Sequence, residues 1–391
     1  MPDSIDIGSI PRWRRALYAI LPLLLLLAGL ELAIRAVRAP LWFGSFRELR
    51  LNLARRGFPA QPHPILGYVP APTEKPDDNR WGTRVTIDAG GFRSNGRPHP
   101  GTAADADGAA RTILAVGDSF TFGDQVNDDE TWPAYLEAIL DRPVLNGGVF
   151  GYALDQTVLR AEEILTRQPA GDLVVSIFPD DIDRCEYSTR YAPKPYFDIV
   201  AGQLVLNPPG DRGPRSPADE RLRRLKNMLG RSALLDALFS ATVKDWWYKE
   251  ERSTRVHPPG EGPKIARLLI ERIDALCRER GCRPLIVSQG PRRTDHTAEL
   301  LRYADRLGLR TLDLIDRVND LAEADPGIIG RYFAGHMTPA GNRWVAEQIA
   351  AVLARDAGRE IDGDPIRGQT APSRVEGAAG GEPAAGAAGR S

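Results

Sequence analysis

The chain has 391 residues, 42% of them apolar, which is enough for one large domain with additions or for two domains. Its 51 basic and 52 acidic residues leave a net charge of −1, a balance that argues against a nucleic-acid-binding protein. Its three cysteines, Cys185, Cys277 and Cys282, form neither a disulfide framework nor a metal-ligand pattern. Cys277 reads as a core thiol on the apolar side of a helix, and a Cys277–Cys282 bond is the alternative in an oxidising compartment.

Residues 1–15 read as a cytoplasmic N-terminus and 16–38 as a transmembrane anchor. Ala16 to Leu30 is an unbroken apolar or neutral run, and Leu32-Ala33-Ile34 extends it past Glu31. The span of about 19 residues is near the length that crosses a bilayer. Arg12, Arg14 and Arg15 precede it and would hold that end in the cytoplasm, with Arg35 and Arg38 weakening the bias. No small-x-small site directly follows the run, which favours an uncleaved anchor over a cleaved signal peptide. Residues 39–110 read as a basic, amphipathic juxtamembrane helix and then an irregular lead-in rich in Pro, Gly, Asp and Arg. The stretch Arg84-Val85-Thr86-Ile87 within it is strand-like.

From Arg111 the pattern alternates between strand and helix, which predicts one α/β domain over 111–357. Buried strands are expected at Thr112–Val116 and Asp172–Phe178, a further strand at Pro284–Ser288, and short strands at Pro143–Asn146 and Arg310–Leu314. Helices are expected around Trp132–Leu140 and over Leu154–Arg167, Pro263–Arg280, Ala298–Leu307 and Pro339–Leu353. Such alternation implies a three-layer α/β/α arrangement around a central parallel sheet covered on both faces. The alternation stops over 184–262, which reads as an insertion holding a hairpin, Tyr196–Val200 with Leu204–Leu206, and helices near 219–229 and 234–248. Trp246, Trp247 and Tyr248 suit sugar stacking, but neighbouring aromatics on a helix cannot all face one way, so one or two belong in the core. The Gly-, Ala- and Pro-rich tail, 358–391, reads as disordered.

Open parallel sheets bind ligands at the C-terminal ends of their strands. Here the first strand ends in Gly117-Asp118-Ser119, within "AVGDSFTFGD". The second ends in Asn146-Gly147-Gly148-Val149-Phe150-Gly151, and the third in Phe178-Pro179-Asp180-Asp181. His336-Met337-Thr338-Pro339-Ala340-Gly341 opens the closing helix. In this order the segments resemble the SGNH (GDSL-type) hydrolase family over about Arg111 to Leu353. The apolar N-terminal run and Pro62-His63-Pro64-Ile65-Leu66-Gly67-Tyr68 resemble its membrane-anchored bacterial branch.

The resemblance implies a flavodoxin-like sheet and acyl-ester hydrolysis or acyl transfer. The expected substrates are acylated small molecules or glycans, such as acetylated envelope or exported polysaccharide, and no metal or cofactor is implied. A serine hydroxyl needs a base. The resemblance assigns Ser119 as nucleophile and His336 as base, with His296 the alternative among five histidines. The backbone N–H groups of Ser119 and Gly151 are candidate oxyanion donors, and Asp118 reads as a structural carboxylate tying down the turn.

Two positions depart from the family pattern. Asp180 stands where the family has an asparagine donor; only a protonated Asp180 would be able to donate. Phe333 and Ala334 stand where an acid usually precedes the base, leaving Asp181, Asp313 or Asp316 as candidates to orient His336. These departures define the alternative of a different class, a pseudo-enzyme that binds glycan or scaffolds a polysaccharide-modifying complex.

Overall fold

The computed structural model describes residues 11–38, 42, 44–55, 58–77, 79, 81–97, 108, 111–190, 192–210, 217–244, 246–248, 253–356 and 358. The expected disordered tail lies, except for Gly358, outside the described residues. The first element is one helix, α1 (Arg12–Arg38), continuous through Pro22. Its leucines from Leu17 to Leu32 are exposed all round. It is the one helix among the described residues that is long and apolar enough to cross a membrane.

Helix α2 (Phe46–Arg55) and an antiparallel hairpin, β1 (Ala60–His63) with β2 (Gly67–Pro70), follow. The strand-like Arg84–Ile87 stretch makes only an isolated bridge between Ile87 and Arg93. Arg93 is fully buried. It pairs with Asp128 and donates to the Phe122, Gly123 and Val126 carbonyls, stitching the lead-in to the main domain.

The main domain then runs β3 (Ile113–Val116), α3 (Ser119–Phe122), α4 (Trp132–Leu140), β4 (Val144–Asn146), α5 (Leu154–Arg167), β5 (Asp172–Ile177) and α6 (Pro179–Asp183). Next come β6 (Tyr187–Arg190), β7 (Ala192–Pro193), β8 (Tyr196–Val200), β9 (Gln203–Asn207), α7 (Pro217–Leu229), α8 (Ala233–Thr242) and β10 (Ser253–Arg255). The closing elements are α9 (Gly262–Arg280), β11 (Arg283–Ser288), α10 (Asp295–Arg306), β12 (Arg310–Asp313), α11 (Leu314–Ala324), α12 (Ile328–Tyr332), β13 (Phe333–Ala334), β14 (His336–Met337) and α13 (Pro339–Asp356).

The central sheet has five strands in the order β12-β11-β5-β3-β4, all parallel. Successive side chains of β3, β5 and most of β11 point to opposite faces and both faces are buried, which explains their continuous apolar runs. Leu114, Val116, Leu173, Val175, Ile177 and Ile286 join one core with residues of α5, α9 and α10. Ile113, Ala115, Val174, Leu285 and Val287 join a second with residues of α4, α11 and α13. The first and third strands in chain order lie side by side, so the strand order reverses between β3 and β5. This is the crevice where flavodoxin-like sheets bind ligands.

The 184–262 stretch contains the β8–β9 hairpin, turning through Ala201 and Gly202, both at positive φ. It also contains a small sheet, β10-β6-β7, and helices α7 and α8. Trp247 and Tyr248 are buried beside Leu229 and Phe239, while Trp246 is 43% exposed, as the crowding of adjacent aromatics requires. Cys277 and Cys282 are disulfide-bonded across the αL turn at Gly281 that ends α9, with Cα atoms 4.7 Å apart. Cys185 is free and buried.

Candidate active site

Strand β3 delivers Ser119 to the reversal point through a turn that only glycine fits. A Cβ at Gly117 would lie 2.9 Å from the Ser176 carbonyl oxygen and closer still to Thr121 Oγ1. Asp118 caps the single-turn helix α3, its Oδ1 accepting from the Phe120 N–H at 2.9 Å. Ser119 is therefore the first residue of α3, 7% exposed, with its N–H at the helix start, where backbone donors lack intrahelical partners. The Asn146–Gly151 loop presses onto α3. A Cβ at Gly148 would lie 2.5 Å from Phe122 N, and Val149 N–H donates to Gly117 O. Gly151 ends this loop at φ 74°, a conformation that favours glycine.

His336 comes from the other end of the chain. The β13–β14 hairpin turns at Gly335, φ 85°, and His336 N–H donates to Gln125 Oε1. Its Nε2 lies 2.9 Å from Ser119 Oγ, and its ring lies 5.2 Å from the Phe120 ring. Burial lowers the His336 pKa below its ordinary value of 6.5; Asp118 pulls it up and Arg184 pushes it further down.

The second imidazole nitrogen faces a residue that sequence reasoning missed. Asp124 Oδ1 lies 3.6 Å from His336 Nδ1. Gly123 ends α3 in the left-handed conformation, φ 76°, and turns the chain back so that Asp124 lies beneath the histidine. Asp124 is 5% exposed. The three acids expected to orient the base are elsewhere. Asp181 accepts from Arg184 and from Phe178 N–H, Asp313 caps α11 and accepts from Ser288, and Asp316 is exposed and paired with Arg293. His296 is exposed at the start of α10.

Asp180 is turned outward. Its side chain is 54% exposed and its charge partner is Arg184, 3.7 Å away, so it is not in the dry setting that an acid donor needs. The cation beside Asp118 and Ser119 is Arg184, a second residue the sequence did not single out. Its Nη1 donates to Asp181 Oδ1 at 2.7 Å, Tyr152 O at 2.8 Å and Asp118 Oδ2 at 3.3 Å. Burial and then the Asp118 carboxylate push Asp181 well above the usual range, and Arg184 opposes them. Burial alone would lower the Arg184 pKa, but Asp181, Asp118 and Asp180 outweigh it and raise it.

Arg184→Ala leaves two buried carboxyls facing each other without a cation. It is expected to cost about 3–5 kcal/mol of stability, read as a lowered urea midpoint. A midpoint unchanged from wild type would show that the cluster holds nothing together. Among the described residues, no group of three or more His, Cys, Asp or Glu side chains is arranged to hold a metal ion.

No family model and no curated protein matches the chain. Among solved structures it is similar to a putative lipolytic protein of the G-D-S-L family from Desulfitobacterium hafniense DCB-2. The two share 15% identity at a TM-score of 0.33, over 62% of this chain and 99% of that one. It is also similar to TesA, with 14% identity and a TM-score of 0.32, over 61% of this chain and 99% of that one. What the site can do follows from its own geometry.

Proposed function

We propose that the chain is a membrane-anchored serine esterase or O-acyltransferase acting on acyl esters, acetyl groups on envelope or exported polysaccharide being the substrate class in view. The observation that carries this reading is the 2.9 Å approach of Ser119 Oγ to His336 Nε2 at the sheet's reversal point. His336 Nε2 takes the hydroxyl proton as Ser119 Oγ attacks the acyl carbon. The N–H groups of Ser119 and Gly151 hold the developing oxyanion. His336 returns the proton to the leaving alcohol, and an acyl-serine remains. Water or a second alcohol then attacks it, His336 acting again as base, to complete hydrolysis or transfer. Asp124 fixes the His336 tautomer with hydrogen on Nδ1 and stabilises the imidazolium; the 3.6 Å gap is of the loose kind that tightens when substrate binds.

Turnover of a small acetyl ester by the full-length protein tests this reading. His336 must be neutral to accept a proton, and its pKa is lowered. The rate constant kcat/KM should therefore rise with pH through a midpoint below about 6.5 and be level at neutrality. A limb centred above neutrality would remove His336 as the base, and no turnover at any pH would favour a protein that only binds glycan.

The anchor is assigned to 16–38 and the catalytic domain to 111–357, with the domain outside the cytoplasm. Arg12, Arg14 and Arg15 before the apolar run support that orientation. The Cys277–Cys282 bond fits an oxidising compartment. A reporter enzyme active only outside the cytoplasm, fused after Leu353, should be active; activity of a cytoplasmic reporter there instead would reverse the topology.

A further inference from the structure

Glu31 is the one acidic residue in α1, at the point where the Ala16–Leu30 apolar run ends. Its Oε1 accepts from Ala233 N–H at 3.0 Å and its Oε2 from Leu234 N–H at 2.9 Å and Ser232 Oγ at 2.8 Å, so it occupies the open N-terminus of α8. One turn on, Arg35 donates to Glu31 and to the Arg231 carbonyl. Arg38 and Arg50 both pair with the buried Asp236 of α8, which also accepts from Trp247 Nε1. Phe46 N–H donates to Gly230 O, and Arg47 to Asn227 and to Trp247 O. Every charged residue in the second half of α1 is thus bonded to the α7–α8 unit, while Leu32 and Val37 between them stay exposed.

We infer that α7 and α8 form a collar that clasps the outer end of the span and beds in the headgroup region of the bilayer; this rests on the membrane-anchored reading above. The clasp sets α8 at the depth where the apolar run stops. Leu225 and Met228 of α7 and Leu238 of α8 are exposed, as are Val243, Trp246 and the cations Arg231 and Lys244 in the segments that flank α8. Apolar side chains, a half-exposed tryptophan and basic residues are the composition of a segment lying in an interface rich in anionic lipid. Trp246 is held in place by Lys226, whose Nζ donates to the Trp246 carbonyl and lies 4.5 Å from its ring centre. The collar is bonded to α1 at Glu31, Arg35 and Arg38, directly beyond the apolar run, and that attachment at the end of the span identifies its occupant as lipid.

The test uses the full-length protein in vesicles of phosphatidylethanolamine and phosphatidylglycerol. An environment-sensitive fluorophore is placed on Leu238→Cys and, separately, on Leu25→Cys and Glu299→Cys. The native cysteines are buried or disulfide-bonded, so the introduced thiol takes the label. Quenchers are lipids carrying a nitroxide near the headgroup or deep in the acyl chain. The label at 238 should shift to the blue and lose emission to the shallow quencher, the label at 25 to the deep one, and the label at 299 to neither. If 25 is quenched while 238 behaves like 299, the collar proposal fails and the span stands. A blue-shifted 238 that no lipid quenches means that protein covers the face, and this too overturns the collar. Quenching at none of the three positions overturns the span and the collar together.

Discussion

Replacing Ser119 with alanine should abolish ester turnover, kcat falling by about 10⁴-fold or more, with the melting temperature nearly unchanged. The size follows from the role, since removing the nucleophile leaves only binding and oxyanion stabilisation. The intact fold follows from the local structure. Asp118, not the Ser119 hydroxyl, caps α3, and the loop over it is held by backbone bonds. Turnover that survives in Ser119→Ala would move the nucleophile elsewhere in the crevice.

The second large effect is expected at Asp124. Asp124→Asn keeps the shape beneath His336 but removes the charge and presents an amide to Nδ1. The wrong tautomer is then favoured, and kcat should fall by about 10²–10⁴-fold. A merely structural role would not touch the pH profile, but this one must. Removing a nearby anion disfavours the imidazolium, so the acid limb should move to lower pH as kcat drops. Asp124→Glu should recover part of the rate. Unchanged kcat and an unmoved limb in Asp124→Asn would show that Asp124 does not position the base. The same measurements on Asp313→Asn and Asp316→Asn should leave the limb where it is, because Asp313 is engaged by Ser288 and the start of α11 and Asp316 is paired with Arg293 at the surface.

The parts of this architecture that local pattern controls were legible in the sequence. The inner strands β3, β5 and β11 read as apolar runs because both faces of the sheet are covered there, and the edge strands β4 and β12 as short strands. Gly117-Asp118-Ser119 read as a strand end because Gly117 and Asp118 are turn and cap residues. His336 stood out as a late histidine ahead of a helix. Asp124 lay within the quoted "AVGDSFTFGD" and was still missed. Its approach to His336 depends on the left-handed Gly123 and on a two-residue hairpin 210 residues later, and neither carries a periodicity. With Phe333 and Ala334 at the positions where an acid is usual, the remaining candidate acids lie at the ends of other strands. Phe333 instead packs toward Phe120, the residue after Ser119. Asp180 read as a residue of a dry cleft because it follows a buried strand, but α6 begins immediately and carries it outward onto Arg184. The β1 strand was hidden by Pro62, which demotes a strand in any propensity reading and is tolerated here in a two-stranded hairpin. Glu31 looked like an interruption of the anchor, and its partner, the start of α8, lies 202 residues away.

If Ser119 is a nucleophile activated by His336, it will react covalently with an electrophile built for such serines. Purified full-length protein is treated with a serine-directed fluorophosphonate, digested and mapped by mass spectrometry. One adduct is expected, on Ser119, absent in Ser119→Ala and forming far more slowly in His336→Ala and Asp124→Asn. A protein that stays unmodified while correctly folded, or an adduct on another serine that persists in Ser119→Ala, would contradict it.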